Sequence, residues 1–256
     1  MTTINLNADV GESYGRFQVG NDEAMMKHIK SASIACGFHA GDPTIMATAV
    51  RLARENGVSV GAHPAFNDLW GFGRREIKMN TRDLQYMVEY QIGALGAIAA
   101  GAGLNVTHVK PHGALNNMAH DDPEYAIAIA RAIKSAGRDM IFVANAGSEM
   151  VTAGRKEGLR VAEEAYCDRT YEDNGKIRSR KFADALIRDP EQAVRQVMSF
   201  IEDRAIITKS GKKIPATIHT FCTHGDEPTG VAVVTAVRQA LETNGIQVAT
   251  LPEMFF

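Results

Sequence analysis

The segment Asn5-Leu6-Asn7-Ala8-Asp9-Val10-Gly11-Glu12 concentrates side chains that can do chemistry. Side chains on a strand alternate between faces, so Asn5, Asn7 and Asp9 share one face and Ile4, Leu6, Ala8 and Val10 the other. Two carboxylates three residues apart at the end of a strand suit proton transfer or cation binding. An edge strand with a solvated polar face and a glycine turn would carry the same letters. Other apolar runs end in a similar way. Cys36-Gly37-Phe38-His39-Ala40-Gly41-Asp42 follows one, and His63-Pro64 follows another, with Asp68 and Gly71-Phe72-Gly73-Arg74-Arg75 beyond it. Lys110-Pro111-His112-Gly113, then Glu164 with Asp168-Arg169, then Cys222-Thr223-His224-Gly225-Asp226 continue the series. Of the 8 histidines, His39, His63, His108, His112 and His224 fall in or just after such runs. Titratable groups converging from several strand ends are the expected make-up of an active site.

Each group also has a structural reading. His108, Lys110 and His112 alternate and so share a strand face. Lys110 is either a fixed positive charge in the site or the salt-bridge partner that neutralises Asp9 or Glu164, and the two roles are compatible. His39 and His63 taken singly read as core histidines. Together with Asp9 they form a possible Asp/His/His metal set, each ligand coming from a different strand. Cys36 and Cys222 can serve as nucleophiles, but small buried packing residues fit them better, since cysteine is among the most buried types. Arg74 and Arg75 offer bidentate donors to a phosphate or carboxylate; an exposed basic loop would read the same. No Walker A or GxGxxG motif is present, so no standard nucleotide pocket is encoded.

These groups need elements to hold them. Strands are expected at Ile4–Ala8, Ala32–Cys36, Val58–Ala62, Val106–Val109, Met140–Ala144, Arg160–Glu163, Thr217–Phe221 and Val248–Leu251. Helical patterns lie between most of them. Asp42-Pro43, Asp122-Pro123, Asp189-Pro190 and Glu227-Pro228 read as helix starts, with an acid near the N-cap and proline in the first turn. Gly57, Gly103, Gly137 and Gly245 read as left-handed residues closing helices. The stretch 207–214 reads as an exposed excursion or hairpin. Alternating strands and helices imply a mostly parallel sheet covered by helices. The 256 residues suit one α/β barrel or two small domains. A formal net charge of -2 gives no electrostatic case for nucleic acid or an anionic membrane. The apolar run around 92–104 is too short and glycine-rich to span a bilayer. The start Met1-Thr2-Thr3 lacks a signal-peptide pattern. Three widely spaced cysteines argue for reduced thiols and a cytoplasmic location.

Asn7-Ala8-Asp9-Val10-Gly11-Glu12, Ala35 to Asp42, Gly61-Ala62-His63-Pro64, Gly71 to Arg75, Lys110-Pro111-His112-Gly113, Asp168-Arg169 and His224-Gly225-Asp226 together resemble the LamB/YcsF family, in order and over essentially the whole chain. Glu172-Asp173-Asn174-Gly175 is a mild departure in a turn. The resemblance implies a single domain over residues 1–256, an irregular seven-stranded β/α barrel similar to the glycoside hydrolase/deacetylase superfamily. One of the eight strands expected above would then lie outside the barrel. It implies ATP-dependent opening of 5-oxo-L-proline to L-glutamate, with the family supplying the A subunit of a 5-oxoprolinase that works with subunits B and C. ATP enters as co-substrate with Mg²⁺, and no tightly bound cofactor is expected. On that resemblance Asp9 or Glu12 activates water, while Lys110 with His39, His63 or His112 stabilises developing negative charge. Asn7, Arg74, Arg75, Glu164, Asp168, Arg169, His224 and Asp226 are the expected substrate- or phosphate-binding groups. Small-residue helical faces such as 93–103 suit packing against the core or against another subunit, the latter open to a homo-oligomer. Two rivals use the same residues: a stand-alone metal-dependent amide or carbohydrate deacetylase, and a binding protein that presents substrate to partners.

Overall fold

The computed structural model describes residues 2–226 and 228–254. In chain order the elements are β1 (Thr3–Val10), α1 (Asp22–Met26), β2 (Ser31–Ala35), α2 (Pro43–Asn56), β3 (Ser59–His63), α3 (Thr81–Gly101) and β4 (Val106–Val109). There follow α4 (Gly113–Asp121), α5 (Pro123–Ala136), β5 (Ile141–Asn145), α6 (Glu149–Lys156), β6 (Arg160–Tyr166) and α7 (Pro190–Asp203). The chain ends with β7 (Ala205–Ile207), β8 (Lys213–Pro215), β9 (Thr220–His224), α8 (Gly230–Thr243), β10 (Gln247–Val248) and a 3₁₀ turn at Leu251–Glu253.

Seven strands, in the order β1-β2-β3-β4-β5-β6-β9, pair in parallel, and β9 pairs back to β1. The sheet is thereby a closed barrel, which leaves no edge around its circumference. The strand outside the barrel is β10, which pairs only with Thr3 and Ile4 of β1. The short antiparallel pair β7–β8 is the hairpin expected near 207–214.

The helix starts follow from their caps. Asp42, Asp122 and Asp189 each accept two backbone N–H groups of the next turn, and each is followed by proline at the first helical position. Glu227 lies outside the described residues, and α8 begins instead behind Thr229. Gly57, Gly103 and Gly245 adopt positive φ after their helices, but Gly137 is extended at φ 177 and closes α5 without the left-handed turn. On α3, Leu84, Val88, Ile92, Leu95 and Ala99 form one buried face. Helices pack their apolar faces against outward strand residues such as Leu6, Ile34, Val60 and Phe142. No helix among the described residues is long and apolar enough to cross a membrane.

Two expected strands end elsewhere, for the same reason. β6 runs on past Glu163 to Tyr166, and β9 spans Thr220–His224, three residues later than expected. The barrel interior is polar, so Glu164 and His224 lie within strands although their character reads as loop. The last expected strand shrinks to two residues because the chain then turns onto inward side chains: the Ala249 carbonyl accepts from Asn5 Nδ2, and the Leu251 N–H donates to Ser31 Oγ.

Candidate functional site

β1 is central, with β2 on one side and β9 on the other, and both of its faces are buried. Ile4, Leu6, Ala8 and Val10 face the helices, while Asn5, Asn7 and Asp9 point into the barrel. The edge-strand reading is therefore excluded. Inside, the polar groups stack in layers. At the lowest, Asn5 Nδ2 donates to Ser31 Oγ at 2.8 Å, and Asn5 Oδ1 accepts from Thr220 Oγ1 at 2.7 Å. One layer up, Asn7 Nδ2 donates to Glu164 Oε1 at 2.9 Å, and Lys110 Nζ donates to Asn7 Oδ1 at 3.0 Å. The same ammonium lies 2.6 Å from Asp9 Oδ1, 3.3 Å from Glu164 Oε1 and 3.0 Å from Cys222 Sγ. Burial alone would pull the Lys110 pKa down, but Asp9, Cys222 and Glu164 hold it well above the ordinary lysine value. Burial would likewise raise Asp9, yet His63 and Lys110 hold its carboxyl well below the usual range. The pair is ionised, and Lys110 both neutralises the acids and presents a fixed charge.

Beside Asp9 stands a cluster of imidazoles. His39 Nε2 lies 2.9 Å from Glu12 Oε1, and His63 Nε2 lies 3.0 Å from His112 Nδ1. His39 and His112 stack with ring centroids 3.8 Å apart, and His63 meets both edge-on. Glu12, His39, His63 and His112 bring one ligand atom each within 4.8 Å of one another, all buried. Among the described residues they form a candidate metal-binding group, which shares His39 and His63 with the expected Asp9, His39 and His63 set. Asp9 sits at its rim, 3.2 Å from His63. Burial, then the charge of Asp9, pushes Glu12 up to about 8, and burial takes His39 and His112 well below the histidine norm. The 71–75 loop clamps this cluster. Phe72 is held at φ 53 and packs edge-on against His39 and His112. Gly73 sits so close that a Cβ there would lie 2.7 Å from His39 Cβ.

On the opposite wall, β6 and β9 set a second pair. His224 Nδ1 lies 2.9 Å from Asp168 Oδ2, and that oxygen also accepts from the His224 backbone N–H. Tyr166 stacks on the His224 ring with centroids 5.4 Å apart, and its hydroxyl donates to Asn145 Oδ1. Burial would raise Asp168, but His224 keeps it below the aspartate norm. Asp168 therefore fixes the imidazole and leaves Nε2 as the nitrogen open to a ligand.

Both walls border a cavity of about 730 Å³. Asp9, His63, Lys110, His112, Arg74, Arg169 and His224 line it. Glu12 and His39 lie behind the lining imidazoles, Asn7 and Glu164 support Lys110, and Asp168 supports His224. Asp226 binds Arg74 at 2.8 Å. Arg75 is not among the lining residues: its guanidinium is tied to Asp68 beside the loop, with Nε at 2.9 Å. His108, four residues before His112, is buried against Gly61 and away from the cavity. Cys36 and Cys222 are buried, and burial pushes the Cys36 thiol up to about 12 and Cys222 well above its norm, which suits packing rather than nucleophilic attack. Tyr166, Asn145, Arg178 and Arg180 also line the cavity, and the motifs do not point to them. Carrying the alternation of β6 two residues beyond Glu164 reaches Tyr166, and Asn145 is the polar end of β5. The two arginines lie in a loop with no periodic signal.

The sequence profile of the LamB/YcsF family matches residues 4–255. A protein from Natranaerobius thermophilus, named as the A subunit of 5-oxoprolinase, is 46% identical over 255 residues, covering 100% of this chain and 99% of that one. The crystal structure of a lactam utilization protein from Thermus thermophilus superposes with a TM-score of 0.92 at 41% identity, covering 98% of this chain and 100% of that one. The catalytic domain of a peptidoglycan N-acetylglucosamine deacetylase from Eubacterium rectale shares the fold, with a TM-score of 0.51 at 12% identity over 98% of this chain and 88% of that one.

Proposed function

Because this chain belongs to the LamB/YcsF family, we propose that it is the hydrolytic component of a 5-oxoprolinase, opening 5-oxo-L-proline to L-glutamate with ATP and Mg²⁺ in a complex with subunits B and C. The observation that carries the reading is the buried Asp9–Lys110 pair at 2.6 Å on the cavity floor, in a chain akin over its full length to proteins named as the A subunit of 5-oxoprolinase.

A lactam nitrogen is a poor leaving group, which makes coupling to ATP intelligible. Transfer of the terminal phosphoryl group to the ring carbonyl oxygen yields an activated imidate and ADP. Water adds to that carbon and the carbon–nitrogen bond breaks. The nitrogen takes up a proton, and an acyl phosphate remains, which a second water cleaves to glutamate and phosphate. Of the two carboxylates near the N-terminus, Asp9 reaches the cavity wall and Glu12 does not, so Asp9 is the base for water. Lys110 stabilises the negative charge that develops on oxygen. His224, oriented by Asp168, delivers the proton to the ring nitrogen. Arg74 and Arg169 offer guanidinium donors to the substrate carboxylate or the phosphoryl group.

The test is glutamate release from 5-oxo-L-proline with ATP and Mg²⁺, using this chain alone and then with its B and C subunits. Glutamate in the mixture alone is the expected result. No glutamate from folded components would overturn the reading and favour a stand-alone metal-dependent amide or carbohydrate hydrolase, for which the Glu12–His39–His63–His112 group is the specific observation.

A further inference from the structure

The tautomers of two histidines are set by what faces them. His63 Nδ1 lies 2.7 Å from the carbonyl oxygen of Lys110, and His112 Nε2 lies 2.9 Å from that of Phe72. A carbonyl can only accept, so each of these nitrogens carries its ring's proton. In the neutral rings, His63 Nε2 and His112 Nδ1 then bear lone pairs, and they face each other at 3.0 Å. Glu12 Oε1 adds another electron pair, 3.3 Å from His112 Nδ1 and 3.9 Å from His63 Nε2. His39 Nε2 approaches the same oxygen at 2.9 Å. These donor atoms converge on one buried point, and only something electron-accepting relieves them.

The spacing fits an ion. Around a tetrahedral metal with bonds of about 2.0–2.1 Å, donor atoms stand roughly 3.3–3.4 Å apart. The separations of 2.9, 3.0, 3.3 and 3.9 Å bracket that value. The backbone carbonyls behind His63 and His112 are the outer partners that orient metal-binding imidazoles.

We propose that Glu12, His39, His63 and His112 hold a divalent transition-metal ion, for which zinc is the best match to three imidazoles and one carboxylate. An ion there, beside Asp9, supplies Lewis-acid character at the cavity floor. The competing account is a shared proton among the same atoms.

Metal content separates the two accounts, and it does so without reference to glutamate release. The full chain, purified without chelator, is measured by elemental analysis, then stripped and titrated with Zn²⁺ and Co²⁺. About one equivalent per chain is expected, with a visible Co²⁺ absorption band of a low-coordinate site and a rise in melting temperature on adding Zn²⁺. His63→Gln and His112→Gln should lower retained metal at least tenfold, while His28→Gln, outside the cluster, should not. Glu12→Gln keeps the side-chain shape and guards against misfolding of the histidine variants; it too should lose the ion or bind it at least tenfold more weakly. Neither zinc nor cobalt bound by folded wild-type chain would overturn the proposal and leave the shared proton. Equal metal in wild type, His63→Gln and Glu12→Gln would overturn it as well.

Discussion

At the scale of single residues, the site rests on buried charges whose removal has two consequences at once. Asp9→Asn takes away the water-facing carboxylate and also the nearest partner of a buried ammonium. Turnover in the reconstituted complex should fall by about 10²–10⁴-fold, the usual contribution of a positioned base. The melting temperature should fall too, because an ion pair broken on one side leaves a buried charge uncompensated. Lys110→Met should behave similarly. In the double variant the stability losses should be less than additive, with a coupling of roughly 0.5–3 kcal/mol, while activity stays lost. Additive losses in thermal melts would mean that the two groups do not sense each other. Asp168 gives a pH-dependent case. Burial raises its carboxyl, but the charge and hydrogen bonds of His224 together with Arg169 lower it more, so its folded pKa lies below the unfolded value of about 3.9. The unfolded chain then binds the proton more readily, and the Asp168 carboxylate stabilises the fold above that value. As pH falls through the folded pKa the contribution disappears. Wild type should exceed Asp168→Asn in stability at pH 7, and the gap should narrow below about pH 4; a gap unchanged between denaturation curves at pH 7 and pH 3.5 would refute the charge argument. The sequence names His39, His63 and His112 readily. It does not say that Glu12 joins them while Asp9 goes to Lys110, because partners from different strands meet through sheet register rather than spacing.

At the scale of elements, the strand–loop junctions were the most legible feature. A β-prone run ending in glycine and a titratable residue marks where a barrel strand opens at its carboxyl end. Asp-Pro helix starts were equally plain, since the cap and the missing N–H act locally. Strand ends were hidden where polar side chains point inward, as Glu164 and His224 do. The 71–75 loop shows how an element tunes the site. Gly73 has φ +64, and an added Cβ would lie 2.7 Å from His39 Cβ and 2.9 Å from His112 Cδ2. Gly57 has nearly the same φ, +63, with nothing within 4 Å of an added Cβ. Gly57→Ala should therefore cost only the left-handed strain, about 1–2 kcal/mol, and leave activity intact. Gly73→Ala carries that cost and also displaces two imidazoles, so activity should drop by about 10²-fold or more. Comparable activity for the two variants, measured alongside their melts, would show that the loop does not hold the histidines in place.

At the scale of the whole molecule, a parallel barrel that is polar inside must be sealed at the end away from its cavity. The C-terminal segment does this. After β10 the chain turns under the barrel, where Leu251 is fully buried against Ile141, Val143 and Ala162. Polar hydrogen bonds lock it there: Asn5 Nδ2 donates to the Ala249 carbonyl at 2.7 Å, and the Leu251 backbone N–H donates to Ser31 Oγ at 3.2 Å. Ser31 and Asn5 belong to the lowest polar layer beneath Asn7 and Lys110, so the seal adjoins the column that carries the site's charges. The sequence shows this segment as one more apolar run, because a plug and a strand share the same composition and only barrel closure tells them apart. Leu251→Ala leaves a cavity at that seal and should cost about 2–5 kcal/mol. Closure makes the loss global: strands bound on both sides unfold together, so the variant should show one cooperative transition shifted to lower temperature. At assay temperature the folded fraction should keep its metal affinity and its activity in the complex, because the seal contributes no side chain to the cavity lining. A biphasic melt, or a loss of activity beyond the loss of folded chain, would show that the seal and the site are mechanically coupled through the Asn5–Asn7 column.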